Sequence, residues 1–232
     1  MYLFSLLDKN MVKERIPLIT IKDLTRWYPR QTKPLFTKLN FDIFPGDFTV
    51  IVGKSGVWKS TLAKFLIGEI RPCKRSMYYR MDDLATLSEN DIQNYRKKIW
   101  VIFQDNRLIS SLSIKDNILY PLRLNGYSEN MMKTKLQNIV TRLKIEGDLN
   151  VSGENISWWE KQKVAIARAL IHNPDFIIAD EPTGNLDWEY TQEIGDIFID
   201  CNKNGNTVIL ITHDIHLLNY IKSKANINIF QM

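Results

Sequence analysis

The sequence predicts an α/β domain built on a mostly parallel sheet, and two strand patterns carry that expectation. Residues 48–52 form a β-branched and aromatic run that reads as a buried strand, and residues 61–67 read as a helix with one apolar face. A loop containing glycine and serine joins them, in the strand–loop–helix order of a parallel unit. A second apolar strand, residues 176–180, ends in the adjacent carboxylates Asp180 and Glu181. That places Asp180 at the carboxyl edge of a parallel sheet, where such sheets bind ligands.

The chain has 232 residues with 44% hydrophobic content, enough for one large domain or for a domain with a small subdomain. Residues 84–150 are rich in polar helix formers with periodic Leu and Ile, so this segment reads as helical, punctuated by Asn125-Gly126-Tyr127-Ser128. No internal repeat or low-complexity linker divides the chain.

Composition excludes several function classes. No run of about 18 apolar residues occurs, so no membrane-spanning helix is expected. The first seven residues lack a preceding basic region and a small-residue cleavage site, which argues against a signal peptide; Met11 is an alternative start. Cys73 and Cys201 match no metal spacing and read as reduced thiols of a cytoplasmic protein. The net charge of +5 is spread along the chain rather than clustered, so a solvated basic surface is expected and a nucleic-acid partner is not. Weak attraction to anionic lipid headgroups fits the same charge.

The chemistry begins at Gly53-Lys54-Ser55-Gly56-Val57-Trp58-Lys59-Ser60-Thr61, which matches G-x-x-x-x-G-K-[ST] except that Trp58 stands at the second glycine. In this pattern backbone N–H groups wrap phosphates, the lysine (Lys59) reaches their outer oxygens, and the hydroxyl after it (Ser60) binds Mg²⁺. An indole at position 58 would compete with a nucleotide for space, because the main chain must approach the phosphates closely. Asp180 would hold the same Mg²⁺, and Glu181 would polarise an attacking water as general base. The alternative for such an acidic pair is a helix cap with a dipole partner.

A family resemblance rests on the run from Asn155 to Leu170, where Ser157-Trp158-Trp159-Glu160 resembles the LSGGQ-type signature of ATP-binding cassette (ABC) ATPases with both glycines replaced by tryptophan. Ser157 can cap the helix that follows, whose apolar residues include Val164, Ala167 and Leu170. Other elements follow in the order the resemblance implies. Val101-Ile102-Phe103-Gln104 is similar to the glutamine loop, residues 182–187 ending in Asp187 to the D-loop region, and Ile211-Thr212-His213-Asp214 to the switch histidine. Tyr28 matches the aromatic that stacks on adenine.

The resemblance implies a P-loop NTPase fold of the ABC type over residues 18–232, with an antiparallel β part and a helical subdomain at about 84–170, preceded by an extension at 1–17. It implies ATP and Mg²⁺ as cofactors, Ser60, Gln104 and Asp180 at the metal, and Glu181, His213, Gln104 and Lys59 in catalysis. Gly53, Ser55, Gly56, Val57, Trp58, Lys59, Ser60, Thr61 and Tyr28 would bind nucleotide in one copy of a homodimer, and Ser157, Trp158, Trp159, Glu160 and Asp187 would address it from the other.

Within the family, Gln104-Asp105 followed by Arg107-Leu108 resembles the FtsE, LolD and MacB group, and FtsE above all. That implies a peripheral protein on the cytoplasmic side of the membrane, acting in cell division with an FtsX-like integral membrane partner; LolD- or MacB-like export is the other reading. Soluble ABC ATPases of translation or DNA repair usually join two cassettes or carry long insertions, and neither feature occurs here.

Trp58, Trp158 and Trp159 all stand at family glycine positions, and Trp100 falls where relatives commonly have glycine. Four of six tryptophans on such positions by chance has a probability on the order of 10⁻⁴. Glycine is also scarce, 10 residues or about 4% against a usual ~7%. Both facts fit a gene in which UGA is read as glycine, translated with a table that reads it as tryptophan. The competing expectation is an inactive cassette retained as a scaffold, yet the acidic and polar chemistry is intact.

Overall fold

A computed structural model describes residues 15–27, 34–53, 57–184 and 186–231. The described elements run β1 (Ile19–Arg26), β2 (Phe36–Ile43), β3 (Phe48–Val52), α1 (Val57–Leu66), β4 (Met77–Tyr79), β5 (Asp82–Asp83), α2 (Glu89–Arg96) and β6 (Ile99–Ile102). The second half adds α3 (Ile114–Leu124), α4 (Glu129–Arg142), α5 (Trp158–Leu170), β7 (Phe176–Asp180), α6 (Trp188–Lys203), β8 (Thr207–Thr212), α7 (Ile215–Lys224) and β9 (Asn228–Gln231).

These strands form two sheets. The five-stranded sheet has the order β6-β7-β8-β3-β9, with every neighbouring pair parallel. Its side chains alternate cleanly: Ile51, Phe176, Ile178, Ile209 and Ile211 face one apolar layer, while Phe48, Val50, Ile177, Val208 and Leu210 face the other. Helices or sheet cover both faces, which is why these strands are continuous apolar runs in the sequence. On the first face Leu62, Phe65 and Leu66 of α1 lie between the parallel sheet and the antiparallel sheet β2-β1-β4-β5. On the second face α3, α4, α5, α6 and α7 supply the buried side chains.

Both strands read from the sequence stand at the expected residues, β3 at 48–52 and β7 at 176–180. The helix read at 61–67 begins at Val57, so that Trp58, Lys59 and Ser60 lie on its first turn. The segment read as helical is not helical throughout. β6 crosses it and pairs with β7, since Ile99 and Ile102 are buried and apolar enough to extend the sheet.

Capping residues fix the helical ends. Ser113 accepts from the Asp116 backbone N–H at the start of α3, and after Asn125 the left-handed Gly126 (φ +70°) turns the chain toward α4. The α5 N-terminus carries a full capping box: Ser157 accepts from the Glu160 N–H, and the Glu160 carboxylate accepts from the Ser157 N–H at 2.8 Å.

One region of the second layer is poorly matched. Trp100 Nε1, both side-chain polar atoms of Asn106, Arg168 Nε and His172 Nδ1 are buried without a hydrogen-bond partner among the described residues. They are neighbours: Trp100 packs edge-on to His172 at 5.2 Å, the Arg168 guanidinium lies 5.8 Å from the Trp100 ring, and Arg168 donates to the Asn106 carbonyl at 3.0 Å. Each orphaned buried group costs on the order of 1–3 kcal/mol. Glycine at position 100 would let water reach them. Trp100→Gly is therefore expected to lose clearly less than the ~3–5 kcal/mol of a buried aromatic truncation, while Phe198→Ala in the same layer loses that full amount, both read by chemical denaturation.

Candidate functional site

The strand order lays out the site. Loops leaving the carboxyl ends of β6, β7, β8 and β3 carry in turn Gln104, Asp180 with Glu181, Thr212 with His213, and the start of α1 with Lys59 and Ser60. Residues separated by more than a hundred positions in sequence thus meet along one edge of the sheet.

Lys59 is only 3% exposed, and its ammonium pairs with the Glu181 carboxylate. Glu181 also accepts from the Thr212 hydroxyl at 3.1 Å and the His213 N–H at 3.3 Å, and His213 Nδ1 lies 2.7 Å from Glu181 Oε1. Lys59 Nζ is 3.5 Å from the same ring nitrogen. Burial pushes the Glu181 carboxyl up, but the hydrogen bonds and charges of Lys59 and His213 outweigh it and leave the group below its ordinary value. Glu181 holds a left-handed backbone (φ +48°), a strained conformation that a non-glycine residue keeps where its surroundings fix it. Here its N–H is bound to the Ile211 carbonyl at 2.9 Å.

Asp180 is pushed the other way. Burial and then the neighbouring Glu181 charge raise its carboxyl, against a hydrogen bond from Ser60, and Oδ1 has no partner among the described residues. Asp180, Ser60, Gln104, Asp105, Arg107 and Trp158 line one cavity of about 390 Å³. A desolvated carboxylate with an orphaned oxygen, a hydroxyl and an amide form a hard-oxygen donor set that fits a divalent cation such as Mg²⁺.

Gln104 also packs against Gly184, where a Cβ would fall 2.8 Å from Nε2, so a larger residue there would displace the Gln104 side chain. The buried Gln162 of α5 donates to the Pro182 carbonyl at 2.7 Å and fixes the turn after Glu181. Gln162, Thr212 and Gly184 all stood within motif runs of the sequence, but nothing in their spacing distinguished them from their neighbours.

The signature residues divide. Trp158 reaches the cavity of Asp180 in its own chain, whereas Ser157, Trp159 and Glu160 line a separate cleft of about 430 Å³ beside α6. Trp159 stacks on Tyr190 at 4.8 Å with Lys163 over its ring, and hydrogen bonds from Ser157 hold the Glu160 carboxyl below its usual range. Asp187 is exposed ahead of α6 and makes no side-chain cap bond. Trp58 is half-buried against the layer between α1 and the antiparallel sheet. Gly53 follows β3, Val57 opens α1 and Thr61 is buried within it. Tyr28, Ser55 and Gly56 lie outside the described residues.

Residues 36–184 match the ABC transporter family model, and the chain belongs to the ABC transporter family. Among its relatives is the cell division ATP-binding protein FtsE of Bacillus subtilis, 33% identical over 208 residues, covering 90% of this chain and 91% of the relative. Methionine import ATP-binding protein MetN 2 of Enterococcus faecalis is 34% identical over 188 residues, covering 81% of this chain and 54% of the relative. A similar solved structure is the dimeric post-hydrolysis state of the ATP-binding cassette MJ0796 bound to ADP and Pi. Its TM-score is 0.78 and its identity 28%, covering 87% of this chain and 90% of that one. The fold is that of an ABC ATPase cassette, and family membership implies ATP binding.

The two carboxylates have opposite pH signatures. Glu181, lowered in the fold, contributes stability above its unfolded value that is lost as pH falls through the folded one. Asp180, raised in the fold, favours the folded chain below its unfolded value, and that contribution is lost as pH rises through the folded one. Asp180→Asn is thus expected to stabilise the chain at neutral pH without nucleotide by about 1 kcal/mol, the gap closing toward about pH 4. The same variant should lose any stabilisation by Mg²⁺ with ATP. Thermal melts across pH check both; a variant less stable at pH 7 contradicts the reading.

Proposed function

We propose that this chain is the ATP-binding and hydrolysing subunit of an FtsEX-like membrane complex, in which ATP-driven dimerisation acts on an integral membrane partner in cell division. Its support is the meeting of Lys59, Glu181 and His213 beside Asp180 at one sheet edge, in a chain similar to FtsE over about nine-tenths of both lengths. Residues 18–232 would form one ATP-binding domain, with α3, α4 and α5 supplying the helical subdomain expected at about 84–170. No helix among the described residues is long and apolar enough to cross a membrane, so attachment would be peripheral, on the cytoplasmic side, through an FtsX-like partner.

Lys59 would take the outer phosphate oxygens. Phosphate competing for its ammonium would release Glu181 Oε1 to act as base on the attacking water, while the Thr212 hydroxyl and His213 keep the carboxylate oriented. Ser60, Asp180 and Gln104 would hold Mg²⁺, which supplies charge neutralisation at the phosphates when bound. Gly53, Ser55, Gly56, Val57 and Thr61 would complete the phosphate loop and Tyr28 would stack on adenine. Ser157, Glu160 and Asp187 would face the nucleotide of a second copy, making a homodimer the working unit.

The match to MetN 2 favours a second reading, a transport ATPase of the import or LolD/MacB export kind. Trp158 in the lining of that cavity favours a third, a catalytically silent cassette. ATP hydrolysis by this chain and by a form with glycine at 58, 100, 158 and 159 separates activity from silence. Turnover confined to the glycine form marks the tryptophans as stand-ins for glycine, turnover by both shows them to be tolerated, and silence in both favours a scaffold or partner-dependent turnover. In the active form Glu181→Gln is expected to cut turnover by about 100-fold or more and to accumulate an ATP-bound dimer, seen by size-exclusion chromatography. Turnover at the parental rate would remove Glu181 from its assigned role.

A further inference from the structure

Arg107 belongs to none of the motif roles assigned above, yet the fold delivers it to the cavity of Asp180. It ends a tight turn after β6 in which the Asn106 N–H binds the Phe103 carbonyl at 3.1 Å and the Arg107 N–H binds the Asp105 carbonyl at 2.6 Å. Asn106 and Arg107 are consecutive left-handed residues, with φ of +57° and +43°. Neither is glycine, so the turn is held from outside. Arg168, a 7%-exposed residue of α5, donates to the Asn106 carbonyl at 3.0 Å, and Asn106 itself is 2% exposed. Backbone strain anchored this firmly fixes the direction in which the next side chain leaves.

The guanidinium carbon of Arg107 lies 3.6 Å from the centroid of the Phe103 ring, so its plane is preorganised rather than free. Its carboxylate neighbour is Asp105, at 3.2 Å within the same turn, and the Arg107 side chain remains 55% exposed. Such a weak local pair can be exchanged for a stronger anion. In the sheet, β6 and β3 flank β7 and β8. Arg107 and Lys59 therefore approach Asp180 from opposite sides, and Arg107 is among the cations that oppose the effect of burial on that carboxyl.

We infer that Arg107 is a further phosphate-binding residue, placed to receive the terminal phosphate of a nucleoside triphosphate opposite Lys59. A planar fork of N–H donors matches phosphate oxygens two at a time, which a lysine cannot do. The inference rests on the nucleotide reading of the site. It deepens that reading by assigning the distinction between tri- and diphosphate to the turn after Gln104, and Arg168 ties that turn to the signature helix.

Equilibrium binding of fluorescently labelled ATP and ADP with Mg²⁺ tests this on the chain and on the form with glycine at 58, 100, 158 and 159. Arg107→Ala should weaken ATP by about 10- to 100-fold and leave ADP and the melting temperature nearly unchanged. Arg107→Lys should restore only part of the loss, and Asp105→Asn, which frees the guanidinium, should tighten ATP. Unchanged ATP binding by Arg107→Ala overturns the inference, as does an equal loss for both nucleotides with a lowered melting temperature, the mark of a residue that only holds the turn. Absence of nucleotide binding by both unmutated forms overturns the proposed function, and this inference with it.

Discussion

A lysine ammonium taken almost wholly out of water must meet a counter-charge, and the pairing of Lys59 with Glu181 is the constraint around which the site edge of the sheet is arranged. Lys59 reaches Glu181 because α1 follows β3 directly, two strands from β7 in a sheet whose neighbouring pairs are all parallel. A slip in the β7–β8 register would carry Glu181 away from Thr212 and His213 and leave a buried cation without a partner. The apolar layers on the two sheet faces hold that register, so packing remote from the edge keeps the charges at hydrogen-bond distance.

Adjacent carboxylates are thereby given different chemistry. Glu181 receives the Lys59 ammonium, the His213 ring and two further donors, and is held below its ordinary value despite burial. Asp180 receives a hydrogen bond from Ser60, and its Oδ1 has no partner among the described residues. Environments that push neighbouring titratable groups apart are what divide labour between a base and a ligand for a cation. The left-handed backbone at Glu181 is what turns successive side chains into these two environments.

Legibility in the sequence followed the range of the interactions. β3, β7 and the Ser157 cap were readable because each is local: an apolar run, or a hydroxyl at the start of a helix. The same locality exposed Lys59, Asp180 and Glu181, at a helix start and a strand end, whereas His213 was legible only through the family resemblance. β6 was hidden because four residues inside a polar, helix-forming stretch carry too little pattern, and only pairing with β7 makes them a strand. Gln162, Gly184 and Arg107 were hidden for a related reason: what they do depends on Pro182, Gln104 and Phe103, which the fold alone brings to them.

The tryptophans belong to both levels at once. At the sequence level the family resemblance implies glycine at 58, 158 and 159, and relatives commonly have it at 100. At the structural level they differ: Trp159 finds Tyr190 and Lys163, Trp58 finds an apolar layer, Trp158 lines the cavity of Asp180, and Trp100 lies beside a cluster of buried polar atoms that have no partner among the described residues. Trp58 and Trp159 thus have packing that a tryptophan can use, whereas Trp100 borders unpartnered polar atoms and Trp158 borders the cavity of the carboxylate. Positions 100 and 158 are therefore the most informative of the four to return to glycine.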